Sequence, residues 1–163
     1  MSSKCVSCFA ALVLCAGAAV FTGSTASADS GPTGPKPASA QVNCSGPSCD
    51  GQDAIATGCY SGYTVPVAKV YAPNSNEVGE LDYSPACRTV WAKISNATPS
   101  YDYPTQKIVV HRNSDGREMP CTVASGNSTC RTLMLYDGGV SSYAAMYPDT
   151  PTYCCGPINT ASY

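Results

Sequence analysis

The sequence is poor in the large side chains that usually fill a protein interior. Among 163 residues there are two phenylalanines and one tryptophan, and both phenylalanines lie within the first 28 residues. A leucine- and phenylalanine-rich core is therefore excluded. We expect valines, the tryptophan and several of the eleven tyrosines to pack in its place. After residue 28 the only leucines are Leu81, Leu133 and Leu135.

Histidine and clustered positive charge are scarce as well. The single histidine, His111, lies beside Arg112 ahead of a turn, and the sequence contains no Gly-x-Ser-x-Gly motif. A hydrolytic triad needs a histidine held by a carboxylate next to its nucleophile, so the sequence does not favour one. The net charge is −2, or −3 without Lys4, and the nine Lys and Arg residues form no cluster. Nucleic acid is therefore not expected as a partner.

Long apolar runs are confined to the start of the chain. Residues 6–20 are almost entirely apolar, follow Lys4 and precede small residues at 26–28, a pattern typical of a secretory signal peptide cleaved after Ala28. The run is too short for a membrane span, and nothing later could form one. We expect a secreted, extracellular protein without membrane attachment after signal removal. Residues 29–42 are a Gly-, Pro- and Ser-rich linker, and residues 43–163 form one folded domain.

Cysteine is abundant. Three of the eleven cysteines lie in the signal peptide, which leaves eight. An even number in an exported chain indicates disulfide bonds formed in an oxidising compartment, although eight cysteines allow about 105 pairings. Each disulfide contributes roughly 2–4 kcal/mol, so four could replace much of the missing core. The candidates are Cys44, Cys49, Cys59, Cys87, Cys121, Cys130, Cys154 and Cys155.

Short apolar segments separated by turn residues predict an all-β fold. Pro66 in the first segment favours an edge strand or a bulge, whereas residues 88–94, apolar on both faces, favour a central strand. Turn sequences at 113–116 and 137–139 predict two hairpins formed by the segments on either side. We therefore predict a small, disulfide-stapled antiparallel barrel or sandwich. The predicted strands span residues 63–71, 77–83, 88–94, 106–111, 117–123, 129–136 and 140–147.

Three motifs carry a family resemblance. The first is Cys-x-x-x-x-Cys-Asp-Gly-x-Asp from Cys44, followed by Thr-Gly-Cys ending at Cys59. The second is Gly-Glu-Leu-Asp-Tyr-Ser-Pro-x-Cys-x-Thr-x-Trp-Ala-Lys from Gly79, and the third is Thr-Leu-Met-Leu-Tyr-Asp from Thr132. These motifs resemble the YjfA-like family of secreted, cysteine-rich bacterial proteins, common in actinobacteria, which carry a domain of unknown function. The resemblance implies a secreted domain and supplies no catalytic residues.

Two pairs of residues are candidates for ligand binding. Asp50 and Asp53 belong to an Asp-Gly-x-Asp turn whose oxygens could hold Ca²⁺, although its spacing does not match an EF-hand and turn hydrogen bonds are the simpler role. We expect Tyr101 and Tyr103 to be an exposed aromatic pair that suits recognition of a protein or a glycan. Zinc is not expected in an oxidising compartment with one histidine, and we expect no cofactor.

A pair of carboxylates offers the main catalytic alternative. Glu80 and Asp82 stand two residues apart and would share one strand face, about 6.6 Å apart along the strand. Two carboxylates at such a separation can hydrolyse glycosides. Alternating charge on the solvent face of a strand gives the same pattern, so we assign no catalytic residue and predict that the protein is not an enzyme.

These observations predict a secreted, non-catalytic, disulfide-rich module with an extracellular binding or structural role. Its partner is unknown, and the classes that fit are an extracellular protein and a cell-wall glycan. The first alternative is a small secreted inhibitor of proteases or other enzymes, in which residues 122–129 form a rigid loop held between Cys121 and Cys130. The second alternative is a cell-wall glycan hydrolase that uses Glu80 and Asp82.

Overall fold

The computed structural model describes residues 41–61, 64–99, 106–148 and 156–163. The predicted signal peptide and almost all of the predicted linker lie outside these ranges, as do Tyr101, Tyr103, Cys154 and Cys155. The expectations for those residues stay predictions.

The described residues form two antiparallel β-sheets that pack face to face. Sheet A contains β1 (Val65–Tyr71), β2 (Val78–Ser84), β3 (Thr89–Ser95), β6 (Cys130–Arg131) and β7 (Leu135–Tyr136). Sheet B contains β4 (Lys107–Arg112), β5 (Glu118–Thr122), β8 (Ser142–Tyr147) and β9 (Ile158–Asn159). A 3₁₀ turn at Gly46–Cys49 is the one helical element in the described ranges. The all-β prediction is confirmed, and the sheets form a sandwich rather than a closed barrel.

Strand order follows the predicted hydrophobic pattern in most places. Sheet A runs β1-β2-β3-β6, with β7 also paired to β3, so the strand predicted to be central is central. Strand β1 is at the edge and its register shifts between Pro66 and Ala68, as expected for a strand interrupted by proline. Strands β4 and β5 form the predicted hairpin around residues 113–116.

The second predicted hairpin is wrong. Strands β6 and β7 pair with β3 in sheet A, whereas β8 pairs with β4 in sheet B. Residues 137–139 therefore connect the two sheets and do not close a hairpin. Gly and Asp at a turn predict that the chain changes direction, but the strand partner is decided by which apolar face becomes buried.

Aliphatic side chains, most of them small or β-branched, fill the space between the sheets. Eight fully buried side chains from the two sheets meet there: Leu81, Val90, Ala92, Ile94, Ile108, Val110, Ala144 and Met146. The expectation that several tyrosines fill the core is wrong for most of the described ones, since three of the seven are exposed and four are half-buried; Tyr83, one of the four, packs against the core. The space between the two sheets is occupied here mainly by aliphatic side chains, and a fully buried tyrosine hydroxyl would need a hydrogen-bond partner there.

Candidate functional site

The outer face of sheet A, which points away from sheet B, is the surface with the most functional features. Leu81 of β2 points into the core, so the alternation of side chains along the strand directs Glu80 and Asp82 outward. The strand register arranges the outward residues in three adjacent rows. These rows are Tyr71, Val78 and Ser95; then Lys69, Glu80, Lys93 and Arg131; then Pro66, Asp82 and Trp91.

The middle row is an ion-pair ladder that crosses three strands. Lys69 Nζ lies 2.6 Å from one Glu80 carboxylate oxygen, and Lys93 Nζ lies 2.8 Å from the other. Partial burial acts to raise the pKa of Glu80, but the hydrogen bonds and charges of Lys69 and Lys93 outweigh it, so this pKa is lowered. Glu80 is therefore ionised at neutral pH, with both oxygens occupied.

Asp82, the next outward residue of β2, has the opposite electrostatic environment. Asp82 is only 5% exposed. Burial raises the pKa of Asp82, and the negative charge of Glu80 raises it further. Trp91 faces Asp82 on β3 and acts in the opposite direction, lowering the pKa of Asp82. Within the described ranges, the buried indole N–H of Trp91 makes no hydrogen bond of normal geometry. The prediction that Glu80 and Asp82 share one face is confirmed. They are more buried than residues on the solvent face of a strand usually are.

Two concave regions flank the ladder. We name the first the Tyr71 groove: it has a volume of about 800 Å³ and lies between the β1–β2 turn, the end of β3 and the 123–129 loop. Its lining includes Tyr71, Asn76, Asn96, Thr98 and Ser128. The second, the Asp82 cleft, has a volume of about 420 Å³ and is lined by Tyr60, Thr64, Pro66, Glu80, Asp82 and Lys93. Both volumes are within the usual range of ligand sites, about 300–1,000 Å³.

Each concave region has an exposed tyrosine. Tyr71 is 66% exposed, and Tyr60 is 43% exposed. The Arg131 guanidinium lies 4.4 Å from the centre of the Tyr60 ring, and the Trp91 ring is 6.2 Å away from it. Tyr60 is therefore held in place by its neighbours, while Tyr71 presents its ring to solvent.

A disulfide-linked segment supports the Asp82 end of this face. Residues 41–61 cover Trp91 and Met134, and this packing makes a second buried cluster with Cys49, Cys59 and Cys87. The disulfides Cys44–Cys49 and Cys59–Cys87 lie side by side, with all four sulfur atoms within 4.8 Å of one another. Because the sulfurs are bonded in pairs, they act here as cross-links.

The predicted Ca²⁺ residues are engaged by protein groups. Asp50 accepts hydrogen bonds from Arg112, Arg117 and the Tyr136 N–H. Asp53 Oδ1 accepts from the backbone N–H groups of residues 55 and 56, at 2.9 and 2.8 Å. In the described part of the chain, the four clustered cysteines are the one group of three or more possible metal-ligating side chains, so no third acidic side chain joins this pair. The Ca²⁺ site stays a prediction that this geometry does not favour.

The loop proposed for inhibition is closed as expected. Cys121 and Cys130 form a disulfide whose Cα atoms are 6.1 Å apart, and residues 124–129 are exposed. The Asn127 N–H donates to the Ala124 carbonyl at 3.0 Å, which makes the loop a tight turn. The six described cysteines are thus paired with one another, and the pairing of Cys154 and Cys155 stays a prediction.

The single histidine has structural neighbours. His111 Nδ1 lies 3.0 Å from Glu118 Oε1, and its ring stacks on Tyr143 with centroids 4.7 Å apart. These partners lie on the two strands beside β4, so they are cross-strand contacts on the outer side of sheet B.

Sequence reasoning did not assign Tyr60 and Tyr71 to a site. For Tyr71 the available signal was strand alternation, which places it on the same face as Lys69, followed by an Asn- and Ser-rich turn. Tyr60 gave no comparable signal, because its position beside Asp82 depends on how the disulfide-linked segment folds back over β3.

No helix in the described ranges has the length and apolar character needed to cross a membrane.

The chain is 32% identical over 99 residues to the uncharacterized protein YjfA of Bacillus subtilis (strain 168), a match covering 54% of this chain and 62% of the relative. The chain thus spans less than two thirds of that curated relative. No solved structure matches the chain. Residues 47–150 match the model of a family described as protein of unknown function (DUF2690), and the chain therefore belongs to this family.

Proposed function

We propose that this domain is a secreted, non-catalytic module that binds an extracellular ligand through the outer face of sheet A. The observation that carries the proposal is the exposure of Tyr71 and Tyr60 beside two concave regions of one sheet face. Exposed aromatic rings next to a cleft offer large contact area at low entropic cost. Three disulfides support an extracellular location, because such bonds persist in oxidising compartments.

The chemistry of this face suits binding better than catalysis. Both Glu80 oxygens are held by lysines, so this carboxylate is poorly placed to act as a base or nucleophile. Asp82 is almost fully buried and faces Trp91, so little of it is accessible to a substrate. The same ion pairs connect β1, β2 and β3 across the face, and a preorganised surface loses less entropy when it binds.

The proposal is tested with the protein purified from culture supernatant. Its binding to an insoluble cell-wall fraction and to immobilised secreted proteins is measured for the wild type, Tyr71→Ala and Tyr60→Ala. Tyr163→Ala is the matched control, because this tyrosine is also exposed, at 48%, and packs on the Tyr83 ring away from the face. We expect at least one variant of the face to weaken binding roughly tenfold, as at a binding hot spot. Unchanged binding by both variants would contradict the proposal.

The glycan hydrolase is kept as a second candidate because of one observation. The pKa of Asp82 is raised while that of Glu80 is lowered, and paired carboxylates with diverging pKa values are a feature of acid–base sites. The test is release of reducing ends from cell-wall polymers by the wild type, Asp82→Asn and Glu80→Gln. Activity lost in both variants would replace the binding proposal with this one, and activity retained by both would assign it to a contaminant.

The inhibitor alternative depends on the loop closed by Cys121–Cys130. A disulfide at its base lowers the entropy lost on binding, but the turn between Ala124 and Asn127 does not present an extended strand to a protease. A panel of extracellular proteases is assayed with the wild type and with Ala124→Arg. Inhibition that disappears in the variant supports this alternative, and no inhibition removes it.

A further inference from the structure

The Tyr71 groove differs in chemistry from the rest of the outer face. The ladder and the Asp82 cleft contain five charged residues, which are Lys69, Glu80, Asp82, Lys93 and Arg131. The described lining of the groove contains no charged side chain. It provides amides, hydroxyls and one exposed aromatic ring, from Tyr71, Ser75, Asn76, Asn96, Thr98 and Ser128, and two small apolar side chains, from Val78 and Ala97.

Several of these polar groups are available to a ligand. Ser75 Oγ accepts from the Glu77 N–H, and Asn96 donates its amide to the Asn76 carbonyl. Among the residues described, the Asn76 carboxamide and the hydroxyls of Thr98 and Ser128 have no hydrogen-bond partner. Each carboxamide can donate and accept, and so can each hydroxyl. The groove therefore offers mixed donors and acceptors without a net charge.

The walls of the groove are fixed to one another by hydrogen bonds. The Asn96 side chain reaches the Asn76 carbonyl at 3.0 Å, which joins the end of β3 to the β1–β2 turn. The Ala97 N–H donates to the Ser128 carbonyl at 2.9 Å, which joins the segment that follows β3 to the disulfide-closed loop. The backbone that carries the groove residues is therefore preformed, which lowers the entropy lost on binding.

From this chemistry we infer that the Tyr71 groove binds an uncharged segment of a polysaccharide. This inference rests on the proposed function and names its ligand class. A neutral sugar presents hydroxyls that pair with the amides and hydroxyls of the groove, and its C–H faces can pack on the exposed Tyr71 ring, whose π-face is negative. An acidic polymer or a charged peptide would find no opposite charge among the described lining residues.

The test uses the protein purified from culture supernatant and defined oligosaccharides. The neutral probes are tetramers of N-acetylglucosamine, of β-1,4-linked glucose and of mannose, and the anionic probe is a galacturonic acid tetramer. Binding is followed by shifts of backbone amide NMR signals and by calorimetry. We expect at least one neutral tetramer to shift the signals of Asn76, Asn96 and Thr98, with an affinity that hardly changes between low and high salt.

Variants locate the binding. Tyr71→Ala and Asn76→Ala alter exposed residues and are expected to weaken binding roughly tenfold, whereas Tyr163→Ala leaves it unchanged. The inference is overturned if no neutral tetramer shifts the groove signals, or if the anionic tetramer binds there more tightly. If the protein binds secreted proteins through the outer face but no sugar, the inference fails and the proposed function stands. If the protein binds neither the cell-wall fraction, nor the secreted proteins, nor any oligosaccharide, the inference and the proposed function both fail.

Discussion

Arg112 and Asp50, which are 62 residues apart in sequence, form a buried ion pair at one end of the sandwich. Arg112 Nη1 donates to both Asp50 oxygens, at 3.1 and 2.9 Å, and the side chains are only 10% and 12% exposed. The other end of the guanidinium donates to Asp115 at 2.9 and 2.6 Å. The pair links the disulfide-bonded segment, residues 41–61, to β4. It therefore connects the segment that packs on the outer face of sheet A to a strand of sheet B.

Removal of Asp50 is expected to destabilise the fold strongly. Asp50→Ala leaves the buried Arg112 guanidinium with Asp115 as its remaining ionic partner, so we expect a cost of about 1.5–3 kcal/mol, which is less than for a buried charge left wholly unpaired. Arg117→Ala is the control, because Arg117 also contacts Asp50 but its side chain is 46% exposed, and such pairs contribute up to about 1 kcal/mol. Urea unfolding measures both values. Equal costs for the two variants would contradict a special role for the buried pair.

The two neighbouring disulfides should differ in their contribution to stability. Cys59–Cys87 joins residues 28 positions apart, whereas Cys44–Cys49 joins residues five apart. Restriction of the unfolded chain grows with loop length, so we expect roughly 3–4 kcal/mol for Cys59–Cys87 and about 2 kcal/mol for Cys44–Cys49. The measurement is urea unfolding of the paired alanine variants. A larger loss on removing Cys44–Cys49 would show that local packing, and not chain restriction, dominates.

Asp137 should make stability depend on pH. Burial raises its pKa to about 6, against the opposing effects of the Ser142 hydroxyl, which donates to it at 2.7 Å, and of the Arg112 charge. The folded state thus holds this proton more tightly than the unfolded chain does. The contribution of Asp137 to the free energy of unfolding is therefore greatest below its unfolded pKa, near 4, and is lost as the pH rises through its folded pKa of about 6.

Asp137→Asn isolates this effect. The amide can still accept from Ser142 but carries no charge, so we expect the variant to be more stable than the wild type at pH 7.5, by ~3 kcal/mol at most. The difference should disappear near pH 4. Thermal unfolding across this range is the measurement, and a variant that is destabilised equally at every pH would show that the carboxylate is not under strain from burial.

Gly58 should be less replaceable than Gly126. Both have positive φ, at 78° and 83°, so alanine at either position costs about 1–2 kcal/mol for the left-handed conformation. A Cβ at Gly58 would also lie 2.7 Å from the Gln41 carbonyl oxygen, whereas a Cβ at Gly126 meets nothing within 4 Å. We expect Gly58→Ala to lower the melting temperature clearly more than Gly126→Ala. Similar shifts would mean that residue 41 moves aside freely.

Local pattern was enough for much of the architecture. Alternation from Glu80 to Tyr83 predicted strand β2 and its two faces, and Pro66 predicted the irregular edge of sheet A. These signals are local because successive side chains of a strand point to opposite sides. The pairing of residues 130–136 was mispredicted, because a turn at 137–139 does not say which sheet the next strand joins.

The candidate site was only partly predictable. The shared face of Glu80 and Asp82 follows from their spacing, but the two lysines on Glu80 come from β1 and β3, and the cross-strand register brings them together. Asp50 looked like a cation ligand in an isolated turn. Its partners, Arg112 and Arg117, belong to a distant hairpin whose position no local motif records.

By itself, the sequence determined that this protein is an all-β, disulfide-stapled domain, because composition, alternation and an even set of cysteines act over short distances. Tertiary structure alone decided which cysteines are bonded, which tyrosines remain exposed and how charge is distributed on the outer face of sheet A. Those properties depend on contacts between strands far apart in the chain, and such contacts form only when the two sheets bury their apolar faces against each other.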